Sequence, residues 1–262
     1  MLIYGKPVVE SLREEQTRRI KEAGISPKLV IVQSGNNLAS STYIRMKKAY
    51  GESIGAQVDH IKTGSTTEEL LPLIDRLNKD DSVSGIIVQL PLPDMTITDE
   101  VVGSIAIRKD VDGLTGKSPF YSATAMAVIN LLDFYGIELT GTKVAMVGYG
   151  RLVGRPLTKL LKDRQADVTV CDVKTPDTGA VTRAAKIIVS ATGKAGLIRP
   201  DMVTDGTFIV DVGTAEDKGS IVGDADPELL NNDTLKITPA RGGIGPITVA
   251  MLFEQLLKAV KI

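Results

Sequence analysis

Residues 143–173, KVAMVGYGRLVGRPLTKLLKDRQADVTVCDV, decide the fold. An apolar run of strand length, Lys143–Val147, feeds a glycine-rich turn. A helix follows, then a second apolar run that ends at Cys171, with the acid Asp172 just beyond it. Strand, glycine turn, helix, strand and acid in this order are what a dinucleotide site requires. Gly148 and Gly150 permit a tight turn and let backbone amides approach a pyrophosphate held at the helix N-terminus. Gly154 lets that helix pack on the sheet. The spacing is GxGxxxG, one residue longer than GxGxxG, and the glycines alone read equally well as a mere turn. The strand before them and an acid about twenty residues further on favour the nucleotide. A carboxylate at Asp172 accepts hydrogen bonds from an adenosine ribose and repels a 2′-phosphate, which favours NAD. Arg151 and Lys174 are cations within reach of a 2′-phosphate and favour NADP, so the sequence leaves the choice open.

Apolar runs recur on both sides. Upstream stand KLVIVQ (28–33), AQVDHI (56–61) and GIIVQL (85–90); downstream stand KIIVSA (186–191), TFIVDV (207–212) and LKIT (235–238). The upstream runs alternate with the helical patterns STYIRMKKAYGESIG (41–55) and TTEELLPLIDRLNKD (66–80). That alternation is the sequence form of right-handed crossovers on a parallel sheet. Thr66 or Thr67 ahead of Glu68 and Glu69 marks a helix start, and Pro72 is a place for a kink in it. A helix in ATAMAVINLLDFYGIELTG (123–141), closed by Gly136 and a polar turn, separates this half from the second parallel unit. The final segment, GPITVAMLFEQLLKAV (245–260), carries Val249, Leu252, Leu256, Leu257 and Val260 as one buried helical stripe. The fold class is therefore α/β with two domains. No internal repeat or low-complexity tract interrupts them.

A chain of 262 residues suffices for two modest domains. Its 31 Lys and Arg nearly cancel 32 Asp and Glu, so no excess field draws it to nucleic acid or an anionic membrane. A small-molecule partner is expected. The N-terminal residues lack the pattern of a secretory leader, and no apolar run is long enough to span a bilayer, which predicts a cytoplasmic protein. The single Cys171 cannot form an internal disulfide and reads as a packed thiol. The single His60 has no second ligand nearby, so no metal is expected.

Four residues of the first half stand out as candidates for chemistry. Tyr43 and Lys47 lie one helical turn apart in STYIRMKKAY. Gln89 in VQLPLP and Asp112 in KDVDGL fall at strand ends, where α/β sheets bind ligands. Each has a plainer reading, Gln89 as a strand cap before Pro91 and Asp112 as a turn before Gly113. Short-chain dehydrogenases also carry YxxxK, but there the nucleotide turn comes first, whereas here it follows.

Five ordered motifs, YIRMK (43–47), GIIVQLPLP (85–93), KDVDGL (109–114), VGYGRLVGRP (147–156) and RGGIGPITVAML (241–252), span most of the chain. Together they resemble the bifunctional methylenetetrahydrofolate dehydrogenase/cyclohydrolase family. The resemblance implies oxidation of 5,10-methylenetetrahydrofolate and hydrolysis of the methenyl product to 10-formyltetrahydrofolate. It also implies NADP as cofactor, a folate cleft between the domains and a homodimer. It divides the chain into a folate-binding catalytic domain, 1–122 plus 246–262, and a Rossmann-type domain, 123–245, with the last helix returning to the first. Lys47 takes the place of the family's catalytic lysine, Tyr43 of its neighbouring tyrosine, Gln89 of its supporting glutamine and Asp112 of its pterin-binding aspartate. Gly113, Gly245 and Pro246 join Tyr43, Gln89 and Asp112 as expected substrate contacts. Gly148, Tyr149, Gly150, Arg151, Asp172, Lys174, Thr192, Gly193, Gly213 and Thr214 are the expected nucleotide contacts; ATG (191–193) and DVGT (211–214) end strands at one crevice, and the resemblance places Thr214 beside the nicotinamide. For Lys47 to act as a base its pKa must fall, through burial or through the nearby charges of Arg45 and Lys48.

The chain departs from the family pattern in four places. The segment after DVDGL is short and keeps only Thr124 of a PCTP motif. Gly148-Tyr149-Gly150 stands where GRS is usual, Asp172-Val173-Lys174 replaces His-Ser-Arg, and Arg241 replaces a proline. Two other functions remain compatible with the residues: a monofunctional NAD-dependent dehydrogenase acting on folate or another small acid, and a non-catalytic nucleotide sensor.

Overall fold

The computed structural model describes residues 1–35, 38–217 and 220–262. It contains two compact units, Glu10–Ala123 with Val249–Ile262, and Met1–Val9 with Thr124–Thr248. Their helices and strands, in chain order, are α1 (Lys6–Ala23), β1 (Lys28–Ser34), α2 (Leu38–Ile54), β2 (Gln57–Thr63), α3 (Thr67–Lys79), β3 (Gly85–Gln89), α4 (Thr98–Gly103), α5 (Ala123–Phe134), β4 (Lys143–Val147), α6 (Gly154–Asp163), β5 (Asp167–Cys171), α7 (Thr178–Ala184), β6 (Ile187–Ser190), β7 (Phe208–Asp211), β8 (Ala215–Asp217), β9 (Ser220–Val222), β10 (Lys236–Ile237) and α8 (Ile244–Ala259). Among the described residues no helix is long and apolar enough to cross a membrane.

The first unit holds a parallel sheet in the order β2-β1-β3. One of its faces is covered by α3, whose Leu70, Leu73, Ile74 and Leu77 recur at helical spacing. They pack on Val30 and Val32 of β1 and Ile86 and Val88 of β3. Each such side chain contributes roughly 1.5–3 kcal/mol when fully buried. The start of α3 is fixed as its sequence suggests, with the Thr66 N–H and hydroxyl both donating to the Glu69 carboxylate. Pro72 lies inside the helix, which continues past it to Lys79.

The second unit is a five-stranded parallel sheet in the order β10-β7-β6-β4-β5, with β8 and β9 as a separate antiparallel pair. The chain runs outward from β4 to β5 and then returns across β4 to β6. The loops after β4 and β6 therefore part at a topological switch point, where such sheets bind ligands. Gly148, at φ +97°, makes that corner possible: a Cβ there would stand 2.7 Å from the Ala191 carbonyl oxygen.

Two features differ from the sequence expectation. Residues 1–9 group with the second unit, because Ile3 N–H donates to Ile237 O and Gly5 N–H to Gly242 O, extending the sheet edge beside β10. The last helix, α8, is buried nearly all round over Val249–Leu257 instead of along one stripe, and Val260 lies beyond its end. Its later turns are enclosed on several sides by the first unit. Phe253 packs on Tyr50, Gln255 Nε2 donates to Val111 O at 2.6 Å, and Gln16 of α1 donates to Ala250 O.

Candidate active site

Tyr43 and Lys47 project from α2, a helix that lies along the first sheet. Lys47 is 9% exposed, and its Nζ donates to Gln89 Oε1 at 3.0 Å at the carboxyl end of β3. Gln89 is itself held, because its Nε2 donates to the Leu90 carbonyl at 2.9 Å. Tyr43 is half-buried, and its hydroxyl makes no hydrogen bond among the described residues.

Asp112 completes the group. It is half-buried, makes no hydrogen bond among the described residues, and couples to Lys47 through charge. Burial lowers the Lys47 pKa, and the Asp112 charge opposes that shift. Burial raises Asp112, with Lys47 opposing and Asp110 adding to the rise. Arg45 and Lys48 are exposed; the first reaches Thr42 and the second Glu52. Burial is thus the physical cause of the lysine shift, and the expected contribution of these two neighbouring cations is corrected.

The turn that presents Asp112 is built by a different acid. Asp110 is buried, and its carboxylate accepts from Leu114 N–H at 3.1 Å and Thr115 N–H at 2.9 Å. Gly113 adopts φ +69°, with the backbone of Tyr121 where a Cβ would go. Asp110 therefore carries the turn-building role that the plainer reading gave to Asp112, and the Asp112 carboxylate is left for other work. Beside Gln89 in register lies Gln33, 1% exposed, whose Oε1 meets His60 Nε2 at 2.8 Å. Nothing local in the sequence marks that pair.

In the second unit, Gly148, Tyr149, Gly150 and Arg151 form the loop before α6. No side chain caps the N-terminus of α6 and its first turn holds no acid, while a Cβ on Gly150 would meet nothing within 4 Å. In that first turn Arg155 N–H donates to Gly150 O at 3.0 Å, Leu157 N–H to Val153 O at 2.9 Å and Pro156 has none, so among the described residues the Gly154 N–H is the amide left for a pyrophosphate beside the open space. Gly154 packs against the Gly148 carbonyl and Tyr149 Cα, so a side chain there would strike the turn itself, where the sequence reading expected the sheet. Tyr149 is exposed, with the Arg155 guanidinium 5.7 Å from its ring centre. Asp172 and Lys174 are also exposed; one Asp172 oxygen accepts the Lys174 N–H at 2.8 Å and the other is unbonded among the described residues. Burial and the Asp172 charge push the Cys171 thiol up, away from reactivity.

Thr192 and Gly193 follow β6, and Gly213 and Thr214 follow β7. A Cβ on Gly193 would come within 3.7 Å of Thr214 O, so the two loops are neighbours. Thr214 is exposed, but Gly213 is buried against Asp224. Asp224 and Asp211, which brace these loops, are absent from the sequence reading, because an isolated acid carries no local sign of burial. Gly245 and Pro246 sit in the first turn of α8, in the part of the chain that groups with the second unit, whereas Tyr43, Lys47, Gln89, Asp112 and Gly113 belong to the first.

Comparison with known proteins bears on both units. Residues 3–112 match the tetrahydrofolate dehydrogenase/cyclohydrolase catalytic domain, and residues 122–262 match the NAD(P)-binding domain of the same family. The bifunctional protein FolD of Halothermothrix orenii is 40% identical over 276 aligned positions, covering 99% of this chain and 98% of the relative. The Campylobacter jejuni FolD methylenetetrahydrofolate dehydrogenase/cyclohydrolase structure has a TM-score of 0.92 at 38% identity, covering 100% of this chain and 98% of the other. The Trypanosoma brucei dehydrogenase-cyclohydrolase, solved with NADP and an inhibitor, has a TM-score of 0.92 at 31% identity, covering 100% and 97%. The chain belongs to the tetrahydrofolate dehydrogenase/cyclohydrolase family, as a bifunctional enzyme with a catalytic and an NAD(P)-binding domain.

Proposed function

We propose that the first unit binds the folate and carries the hydrolytic chemistry, while the second binds the nucleotide, so that one chain oxidises 5,10-methylenetetrahydrofolate and hydrolyses the methenyl product. The observation that carries this reading is Lys47, buried, lowered in pKa and fixed by Gln89. Removing hydride from the carbon between N5 and N10 leaves a cation that the nitrogen lone pairs stabilise, so this step needs alignment and no acid or base. NAD(P)⁺, when bound, supplies the hydride acceptor. Hydrolysis differs, because a water must lose a proton as its oxygen bonds to the methenyl carbon.

Lys47 in its neutral form takes that proton. The resulting ammonium returns a proton to N5 as the bond from N5 to the bridge carbon breaks. The formyl group stays on N10, and one proton leaves to solvent overall. Gln89 orients the amine, Asp112 accepts hydrogen bonds from the pterin amide and amino edge, and Tyr43 packs along the folate. Gly113, Gly245 and Pro246 are candidates for further substrate contacts.

On the nucleotide side, the Gly154 N–H at the α6 terminus and the open face of Gly150 take the pyrophosphate. Arg151, Tyr149, Lys174, Thr192, Gly193, Gly213 and Thr214 line or support the rest of the site. NADP, the cofactor bound by the T. brucei relative, serves a family with this domain. In this chain the unbonded Asp172 oxygen favours the ribose diol of NAD over a 2′-phosphate. A homodimer in the cytoplasm is the assembly and setting proposed for it. Adding methylenetetrahydrofolate with NAD⁺ or NADP⁺ should give transient methenyl absorbance, stronger with NAD⁺. Absence of signal with both removes this reading, and relief of NADP discrimination in Asp172→Ser places the choice at that carboxylate.

A further inference from the structure

One acid of the second unit has no part in the scheme above. Asp224 follows β9 and is fully buried. Its Oδ2 accepts three hydrogen bonds, from Ser190 Oγ at 2.6 Å, Thr192 N–H at 2.7 Å and Thr192 Oγ1 at 2.9 Å. All three partners are donors, which suits the acceptor-only anion. Its Oδ1 is equally buried and has no partner among the described residues. That oxygen lies against the Gly213 backbone, where a Cβ would collide with it.

Among the described residues the surroundings add no compensating cation. Asp211 is 4% exposed, ends β7 opposite Ser190 of β6, and spends its carboxylate on the backbone amides of Gly213, Asp224 and Ala225, each at 3.0 Å. Lys194 is exposed and gives only its backbone N–H, to Thr192 Oγ1. Among the described residues no ammonium or guanidinium bonds either acid. A buried carboxylate with one oxygen unpartnered is costly to keep. Its charge also acts over several ångströms, because little solvent screens it. Asp224 bonds Thr192 and touches Gly213, in the two loops that the nucleotide reading puts beside the nicotinamide.

We propose that Asp224 sets the redox preference of the nucleotide site, its charge favouring the cationic oxidised nicotinamide over the neutral reduced ring. The proposal rests on the nucleotide reading of the 191–193 and 213–214 loops. Asp224 acts through those loops and through space, as a positioning and electrostatic residue. Oxidised and reduced nucleotides share their adenosine, pyrophosphate and riboses, so the effect of the acid falls on the ratio of their affinities.

Calorimetric titration of wild type and Asp224→Asn with NAD⁺, NADH, NADP⁺, NADPH and ADP-ribose tests this. The Asn side chain keeps an oxygen for Ser190 and Thr192, so the brace survives while the charge is removed. Wild type should bind the oxidised form of its nucleotide more tightly than the reduced form. In Asp224→Asn that preference should fall by about tenfold, with ADP-ribose binding unchanged. An unchanged ratio, or equal weakening of all the ligands, overturns the proposal and leaves Asp224 a structural brace. Circular dichroism checks that the variant folds. If it does not, wild type decides alone, since tighter binding of the reduced nucleotide contradicts the proposal. Failure of wild type to bind even ADP-ribose overturns the underlying nucleotide reading as well, an outcome distinct from an unchanged ratio.

Discussion

Lys47 on α2 and Lys109, just after α4, are both buried lysines whose pKa burial lowers, yet their surroundings give them opposite uses. The Lys109 Nζ donates to Leu77 O at 2.9 Å and Asp80 O at 2.6 Å, at the carboxyl end of α3. Those carbonyls are permanent acceptors at the negative end of a helix dipole, and they reward the charged form. The ordinary partners of Lys47 are one side-chain amide oxygen and a half-buried acid that itself titrates. Burial alone therefore does not make a lysine reactive. The acceptor set decides whether the lysine is fixed as a cation or can give up a proton.

The largest expected effect separates the two lysines directly. Lys47→Met should lower cyclohydrolase turnover by about 10²- to 10⁴-fold, the usual contribution of a positioned acid–base group, and should largely spare dehydrogenase turnover. Following methenyl formation and decay in one assay measures both. Equal loss of the two activities would break the assignment. Lys109→Met should do the reverse, leaving both turnover numbers intact and lowering stability in urea by about 2–3 kcal/mol, because two carbonyls lose their charged partner. Selective loss of cyclohydrolase in that variant would show that burial, and not the acceptor set, governs function.

This contrast was only partly legible in the sequence. The parallel sheets could be read because β1, β3, β4 and β6 are continuous apolar runs, and Lys47 could be found because its motif recurs in a family. Nothing local distinguishes Lys109 in KDVDGL from a solvated lysine, since its burial comes from α3, which precedes it by some thirty residues. The same holds for Asp224, whose partners Ser190 and Thr192 lie on another strand end. Helix α1 escaped notice because its buried face includes the polar Gln16 among Val8, Val9 and Ile20. The placement of residues 1–9 depends on sheet-edge pairing with β10, which no helical or strand period encodes.

A smaller effect is expected at Gln89, where the loss is of aim and not of the base. Gln89→Leu removes the one side-chain hydrogen bond that, among the described residues, fixes the Lys47 amine, a bond worth about 0.5–1.5 kcal/mol to the neutral amine. Cyclohydrolase turnover should fall by about two- to tenfold, with dehydrogenase turnover kept and the protein still folded. Lys47 also leaves a signature in stability. Between its lowered folded pKa and the ordinary 10.5 of a lysine, the unfolded chain holds more protons than the folded one. Stability therefore gains from this group as pH rises through that window. Lys47→Met should lose that gain, which urea titration at stepped pH would reveal.

The finest test lies in the coupling between Lys47 and Asp112. The Asp112 charge holds the lysine pKa up against burial, so removing it must let burial act unopposed. In Asp112→Asn the pH arm over which cyclohydrolase turnover rises should move toward acid. The measurement is made at saturating folate, so that weaker pterin binding falls on KM. A rise in KM alone, with the arm unmoved, would mean that Asp112 recognises substrate but does not govern the amine. A shift toward alkali would mean that the titrating group seen in the rate is not Lys47, because no loss of a nearby negative charge can make an ammonium harder to deprotonate.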